Sequence, residues 1–475
     1  MPVAPQYLPD PRHSDLGDRF FDAVRPAEFP KHILRFRNDR AAARVGLEDL
    51  DDAEWIAHFG QFEPLPGNLP HPLALRYHGH QFRSYNPDLG DGRGFLFAQV
   101  REDGDPAGRL LDLGTKGSGQ TPWSRQGDGR LTLKGAVREL LATEMLEARD
   151  VNTSRTFSII ETGERLYRGD EPSPTRSAVL VRLNHSHIRL GSFQRQAFLK
   201  DADAVQVLLD HVVEVHMPDV AEVENRLDRV AAFLRRVVEN TARTTAQWMA
   251  AGFVHGVLNT DNILVTGESF DYGPWRFLPT YDVRFTAAYF DRPGLYAYGR
   301  QPETLVWNLT RLAETLLPLC NQDRLIAALD AFPGAFTDAL AEAVTRRLGV
   351  ERTTLEEDDT LVGALFSFLE VTQVPFDQPF FDWFGGVASV ERAAASPLAA
   401  HYAGAAFQPV RDALLSRAPR DGVDLADPYF AGAPSSLLID EVEALWAPIA
   451  GADDWAPLYA KVAEIRAMGH AVAVA

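Results

Sequence analysis

Asn262 and Asp271 stand nine residues apart, in His255-Gly256-Val257-Leu258-Asn259-Thr260-Asp261-Asn262 and in Asp271-Tyr272-Gly273. An amide oxygen and a carboxylate are hard donors that suit magnesium or manganese. A further carboxylate, Asp261, directly precedes the asparagine. Upstream, Gly90-Asp91-Gly92-Arg93-Gly94 is a turn-forming cluster, and Lys116 closes the apolar run Leu110-Leu111-Asp112-Leu113-Gly114-Thr115-Lys116. Glycine-loop N–H groups, a lysine, arginines and a divalent metal are what a protein uses to neutralise bound phosphates. The chemistry these residues could do is metal-assisted transfer of a phosphorus-bearing group from a nucleotide such as ATP.

The order of parts resembles a protein kinase, whose catalytic loop reads H-R-D-L-x-x-x-N and whose metal loop reads D-F-G. Val257 takes the place of the kinase's catalytic aspartate, so a nucleotide and metal site is expected without the usual base. Lys116 stands where a kinase places its phosphate lysine. Glu139 or Glu144 on the following helix could hold that lysine, and angular placement mildly favours Glu144, which shares a side with Val137, Leu140 and Leu141. Arg182 and Arg189 can face one ligand only if the chain turns at Asn184-His185-Ser186. Asp128-Gly129 forms a second loop able to approach nucleotide.

The elements that must position these residues follow from the pattern. Residues 1–75, rich in Pro, Asp and Arg, read as an extension wrapping a larger body. Residues 76–200 read as a β-rich lobe. In it, Phe95 to Val100 and Leu110 to Lys116 form a hairpin, and a helix with apolar positions at 137, 140, 141, 145 and 148 follows. Thr156 to Ile160 and Leu166 to Arg168, separated by Thr-Gly, suggest another hairpin, and Ala178 to Leu183 a further strand. Residues 201–475 read as a helical lobe, with a long helix over about 220–251 leading into the His255 loop. The fold class is α+β, a two-lobed protein-kinase-like arrangement.

A net charge of −19 disfavours nucleic acid and anionic membrane as partners, so phosphate must meet a local basic cluster. The single cysteine, Cys320, excludes an internal disulfide and lies in an apolar stretch that reads as core. The first residues lack a basic start and an apolar core region, and no run approaches the roughly 18 apolar residues of a membrane span. A cytoplasmic protein is expected. His78, His80, His185 and His187 form His-x-His pairs without a third ligand at zinc spacing and read as loop or strand residues. Gly114-Thr115-Lys116-Gly117-Ser118-Gly119 lacks Walker order. His255 reads as a brace for the metal loop.

Over residues 15–310 the chain also resembles the selenoprotein O family, protein adenylyltransferases with a pseudokinase fold. The likeness rests on Tyr77-His78-Gly79-His80-Gln81-Phe82, Leu89-Gly90-Asp91-Gly92-Arg93, Lys116-Gly117-Ser118-Gly119-Gln120-Thr121-Pro122-Trp123-Ser124-Arg125, Gly127-Asp128-Gly129-Arg130, Ser186-His187-Ile188-Arg189, the His255 loop and Asp271-Tyr272-Gly273-Pro274. It is faint beyond residue 310. The resemblance implies that ATP binds reversed relative to a kinase and that AMP passes to a protein hydroxyl. It implies ATP contacts from Gly90, Gly92, Arg93, Lys116, Asp128, Gly129, Arg182, Arg189 and Asp271, with magnesium or manganese on Asn262 and Asp271. Asp261 would accept the proton, and Glu139, against the angular reading, would position Lys116. The residue chemistry agrees, because Asp261 is the only carboxylate of the loop left to act as base once Asn262 and Asp271 hold metal. Many family members carry a selenocysteine or cysteine near the C-terminus and a second cysteine after the metal loop. This chain has Gly469 to Ala475 and Phe285 to Phe290 there, so disulfide control is not expected.

The expected activity is metal-dependent transfer of AMP from ATP to Ser, Thr or Tyr hydroxyls of proteins, this one included. The competing readings are a kinase transferring the γ-phosphoryl group, with Asp261 as substitute base, and an inert nucleotide-binding module.

Overall fold

A computed structural model describes residues 4–169 and 171–473. An eight-stranded antiparallel sheet forms the β-rich half. Its strands are β1 (Phe21–Ala23), β2 (Ile33–Arg37), β3 (Leu73–Leu75), β6 (Leu96–Arg101), β7 (Leu110–Lys116), β8 (Leu131–Thr132), β9 (Arg155–Leu166) and β10 (Thr175–Asn184). The order is β1-β3-β6-β7-β10-β9-β2, with β8 pairing β10. Two small ladders stand outside it, β4 (Gly79–Gln81) with β5 (Ser84–Asn86), and β11 (Phe253–His255) with β12 (Trp275–Phe277).

Alternation along the central strands sends side chains to two cores. Val179, Val181 and Leu183 of β10 and Leu111 and Leu113 of β7 join Trp55 and Phe59 of α2 (Asp52–Phe59), which follows α1 (Asp39–Ala43). Ala178 and Leu180 face the other way, onto α3 (Leu133–Ala148). Residues 1–75 therefore supply three strands of the sheet and the helices over one of its faces. The hairpin expected within 156–168 does not form. A single twelve-residue strand, β9, runs through Thr162 and Gly163 and pairs with β10, because the Thr-Gly step is taken up by a register shift between Arg176 and Ala178.

The helical half begins with α4 (Leu190–Phe198), α5 (Ala202–His216) and α6 (Pro218–Ala221). The 26-residue α7 (Arg226–Ala251) is capped by Asn225 and stopped by Gly252 at φ 65°, where a Cβ would lie 2.6 Å from the Phe376 ring. The stop turns the chain straight into β11. Beyond the site loops come α8 (Gln301–Thr315), α9 (Gln322–Leu329), α10 (Phe332–Arg347) and α11 (Leu355–Thr372), then four short helices, α12 (Gln378–Asp382), α13 (Val390–Ala395), α14 (Ala399–Ala403) and α15 (Gln408–Leu415).

The last two helices, α16 (Ile439–Ala452) and α17 (Ala456–Ala471), leave the helical half and pack on α3. Arg466 donates to both oxygens of buried Glu144, at 2.7 and 2.6 Å, and Arg35 and Arg176 reach Asp453 at 3.0 and 2.6 Å. The chain end thus braces the helix beside the sheet. Arg466→Met would leave the Glu144 carboxylate with only Arg40 at 3.4 Å. We expect a loss of about 3 kcal/mol from stranding a buried charge, largely restored by adding Glu144→Leu, read from thermal melting of the two variants. An unchanged midpoint in the single variant would refute the bracing role.

Candidate active site

Register places the first cations. Gly114 of β7 lies opposite Arg182 of β10, and Lys116 lies opposite Leu180, so Lys116 and Arg182 are diagonal neighbours on the face that looks toward α3. There Lys116 Nζ contacts both Glu139 of α3 and Oδ1 of Asp271. Arg182 Nη1 lies 3.5 Å from the same Asp271 oxygen and 3.7 Å from Glu139 Oε2. Glu144 instead takes Arg466 and Arg40. Angular reasoning favoured Glu144 because it assumed one apolar face. With the sheet on one side and α16 and α17 on another, α3 is buried nearly all round, and a carboxylate on the apolar side need not face the lysine.

The β11–β12 ladder brings the two site loops together, with Gly256 N donating to Pro274 O at 2.9 Å. His255 is buried, with its N–H on Gln301 Oε1 at 2.9 Å and Nε2 at 3.2 Å from the Phe270 carbonyl. It holds the loop that carries Asp271, as the brace reading expects. Asn262 Nδ2 donates to Val257 O at 3.0 Å, which orients the amide and leaves its oxygen for another partner. Asp271 adopts φ 61°, a conformation uncommon outside glycine.

The chain does turn after β10. Arg189 precedes the first turn of α4, and both guanidiniums lie over the Phe270 ring, Arg182 at 5.3 Å and Arg189 at 5.2 Å from its centroid. Arg189 also reaches Asp91 of the glycine loop at 3.2 Å and lies 4.2 Å from the Tyr77 ring centroid. Gly114 makes this possible, since a Cβ there would lie 2.2 Å from the His187 ring. Sequence reading assigned no role to Phe270 or Asp91.

The remaining predicted residues fall into two groups. Gly90 and Gly92 turn their bare faces to Trp123, whose atoms would lie 2.4 and 2.8 Å from added Cβ atoms, so their close approach is to that segment. Arg93 acts on Asp271 through its charge. Asp128 pairs with Arg168 at 2.9 Å and accepts from Arg130 N, and neither partner belongs to the Lys116 cluster, while Gly129, at φ 69°, packs on Gly119.

Two carboxylates differ sharply. Burial alone would raise the Asp271 carboxyl, but Lys116, Arg182 and Arg93 outweigh it and hold the group well below the usual carboxylate range. Asp261 is pushed up to about 6, mainly by burial, with only partial relief from its own backbone N–H and from Arg189. Its Oδ1 is buried without a hydrogen-bond partner. The segment 79–82 frames it: a Cβ on Gly79 would lie 2.8 Å from Oδ1, Gln81 bonds the carboxylate, and His80 N donates to Thr260 Oγ1 at 2.7 Å. Glu139 Oε2 and Arg182 Nε are likewise buried without hydrogen-bond partners.

A family model described as protein adenylyltransferase SelO matches residues 6–466. The chain belongs to the SelO family. It is 50% identical over 346 residues to the protein nucleotidyltransferase YdiU of Synechocystis sp., covering 72% of this chain and 71% of that one. YdiU of Trichormus variabilis is 42% identical over 475 residues, covering 97% and 96%, and that of Gloeobacter violaceus 44% over 470 residues, covering 96% and 94%. SelO membership makes the chain a protein nucleotidyltransferase with a kinase-like fold. The likeness runs far beyond residue 310, because the C-terminal helices that lack recognisable motifs still match.

Between the lobes, His185 N donates to Glu268 Oε2 at 2.7 Å, and burial raises that carboxyl to about 7. A raised carboxyl contributes stability that is full below its unfolded value and is lost as pH rises through about 7. Glu268→Gln keeps the acceptor and cannot ionise. Relative to the parent it should gain about 2 kcal/mol near pH 8 and nothing near pH 4, measured by denaturant unfolding at each pH. Equal gains at both pH values would refute ionisation as the cause.

Proposed function

We propose that this protein transfers AMP from ATP to Ser, Thr or Tyr hydroxyls of proteins, itself included, with ATP held reversed relative to a kinase. The observation that carries the reading is the buried, partnerless Asp261 oxygen beside Asn262 and Asp271, in a loop whose kinase base position is Val257. The hydroxyl oxygen attacks the α-phosphorus, the bond to the β-phosphate oxygen breaks, and pyrophosphate leaves. Asp261 receives the hydroxyl proton. Lys116, held by Glu139, and Arg182 and Arg189, fixed over Phe270, would carry the phosphate charge. Gly90, Gly92, Arg93, Asp128 and Gly129 would line the nucleotide, the glycine loop through its backbone.

The donors fit a magnesium or manganese ion. Lys116 and Arg182 address only Oδ1 of Asp271, leaving Oδ2, and Asn262 contributes its amide oxygen. Among the described residues no three His, Cys, Asp or Glu side chains form a metal cage, as suits an ion that keeps water and substrate phosphate as ligands. Bound there, the ion would neutralise phosphate charge. No helix of the structure is long and apolar enough to cross a membrane, and a cytoplasmic setting remains part of the proposal.

ATP labelled on the α-phosphate should mark protein covalently, and γ-labelled ATP should not. Asp261→Asn should keep nucleotide binding and lose about 100-fold or more in transfer, whereas Asp271→Ala should lose both. Label arriving from the γ-position would make the protein a kinase, and full transfer by Asp261→Asn would remove Asp261 from the mechanism.

A further inference from the structure

Beside Asp261 the surface carries aromatic side chains that no element covers. The turn between β4 and β5 consists of Phe82 and Arg83, at φ 49° and 63°. Such two-residue turns favour Asn-Gly, because both positions take the left-handed conformation. A phenylalanine and an arginine are strained there, and strain of this kind is retained at working surfaces. The turn is fixed to the site, since Phe82 N donates to Asn259 Oδ1 at 3.2 Å and to Tyr296 Oη at 3.1 Å.

The Phe82 ring meets Tyr296 at 5.0 Å and Phe290 at 6.0 Å between centroids, and Tyr289 meets Phe290 at 5.2 Å. Phe82 is 38% exposed, Phe290 44% and Tyr289 85%. Isolated exposed aromatics are ordinary, but three in contact make a patch. Arg83, Arg284, Arg292 and Arg300 are exposed on the segments that carry it, where Arg83 and Arg300 pair with Glu303 at 3.5 and 3.9 Å and Arg284 with Asp282 at 3.9 Å. The acids of the same segments are Asp282, Glu303 and Asp291, the last buried and occupied by the N–H groups of Leu295 and Tyr296. Four arginines against these three acids leave the segments with one surplus positive charge on a chain of net charge −19.

We propose that Phe82, Tyr289 and Phe290, with Arg83 and Arg292, dock the protein substrate through a segment that carries an apolar side chain and acidic residues beside the target hydroxyl. This rests on the transfer reaction proposed above and names the class of segment that reaction takes. The patch adjoins the base through residues 79–82, so a segment seated on the rings would present a neighbouring hydroxyl to Asp261. The arginines would attract acidic flanks and repel basic ones.

The test uses the full chain, α-labelled ATP with manganese, and short synthetic peptides bearing one Thr. The Thr is flanked by Leu with Asp and Glu, by Leu with Lys, or by Ala with Asp and Glu. The parent should prefer the first peptide. The double variant Tyr289→Ala, Phe290→Ala should raise its KM about tenfold, with affinity for a non-hydrolysable ATP analogue unchanged. Arg292→Asp, at an exposed position, should weaken the preference for acidic flanks without lowering thermal stability. Peptide labelling by the parent that is equal for all three peptides, or unchanged in the variants, would overturn the docking surface while leaving AMP transfer standing. No α-label transfer by the parent to itself or to any peptide would overturn both. Sedimentation with phosphatidylserine vesicles, lost in the double variant, would make the patch a lipid contact and overturn the proposal.

Discussion

The contact of Lys116 with Glu139 and Asp271 joins three parts of the chain that are distant in sequence: the end of β7, the middle of α3 and the loop before β12. Arg182 of β10 adds a second cation to the same acids. Buried charges cost several kcal/mol each unless paired, so none of these groups can sit where it does without the others. That mutual requirement couples sheet to helix and β-rich half to helical half. The surrounding features, from α3 to the ladder of β11 and β12, serve to bring these charges within reach.

The same low-polarity interior gives neighbouring carboxylates different characters. Asp271 is surrounded by cations and stays ionised, while Asp261, the more buried of the two, has Arg189 engaged by Asp91 and Phe270 and is raised. The two neighbouring loops thus supply a permanent anion and a group near its titration point, the kind of separation on which acid–base chemistry depends. The fixed charges are local. The protein as a whole is strongly acidic, so under the proposed function phosphate would be met by a buried cationic cluster and not by a basic exterior.

The C-terminal helices show how much a fold can matter without motifs. They contribute no predicted site residue, yet α17 occupies the outer side of α3 through Arg466 and Glu144. A helix that is covered on both sides cannot tilt away from the sheet freely, so Glu139 remains beside Lys116. The family match through residue 466 is consistent with this shared packing.

The sequence by itself supplied the candidate parts. Glycine loop, lysine, helix glutamates, paired arginines, Asp261, Asn262 and Asp271 were legible because short-range chemistry constrains residue types and spacing, as were the hairpin into Lys116 and the long helix ending at Gly252. The tertiary structure alone decided which parts meet. It chose Glu139 over Glu144 because α3 is covered on more than one side, kept β9 unbroken through Gly163 because β10 supplies its partner, and put Trp123 against Gly90 and Gly92. It also gave Phe270, Asp91 and the Phe82 turn their places. These outcomes depend on contacts between residues far apart in the chain, whose energies come from burial and pairing and leave no periodic trace in the local pattern.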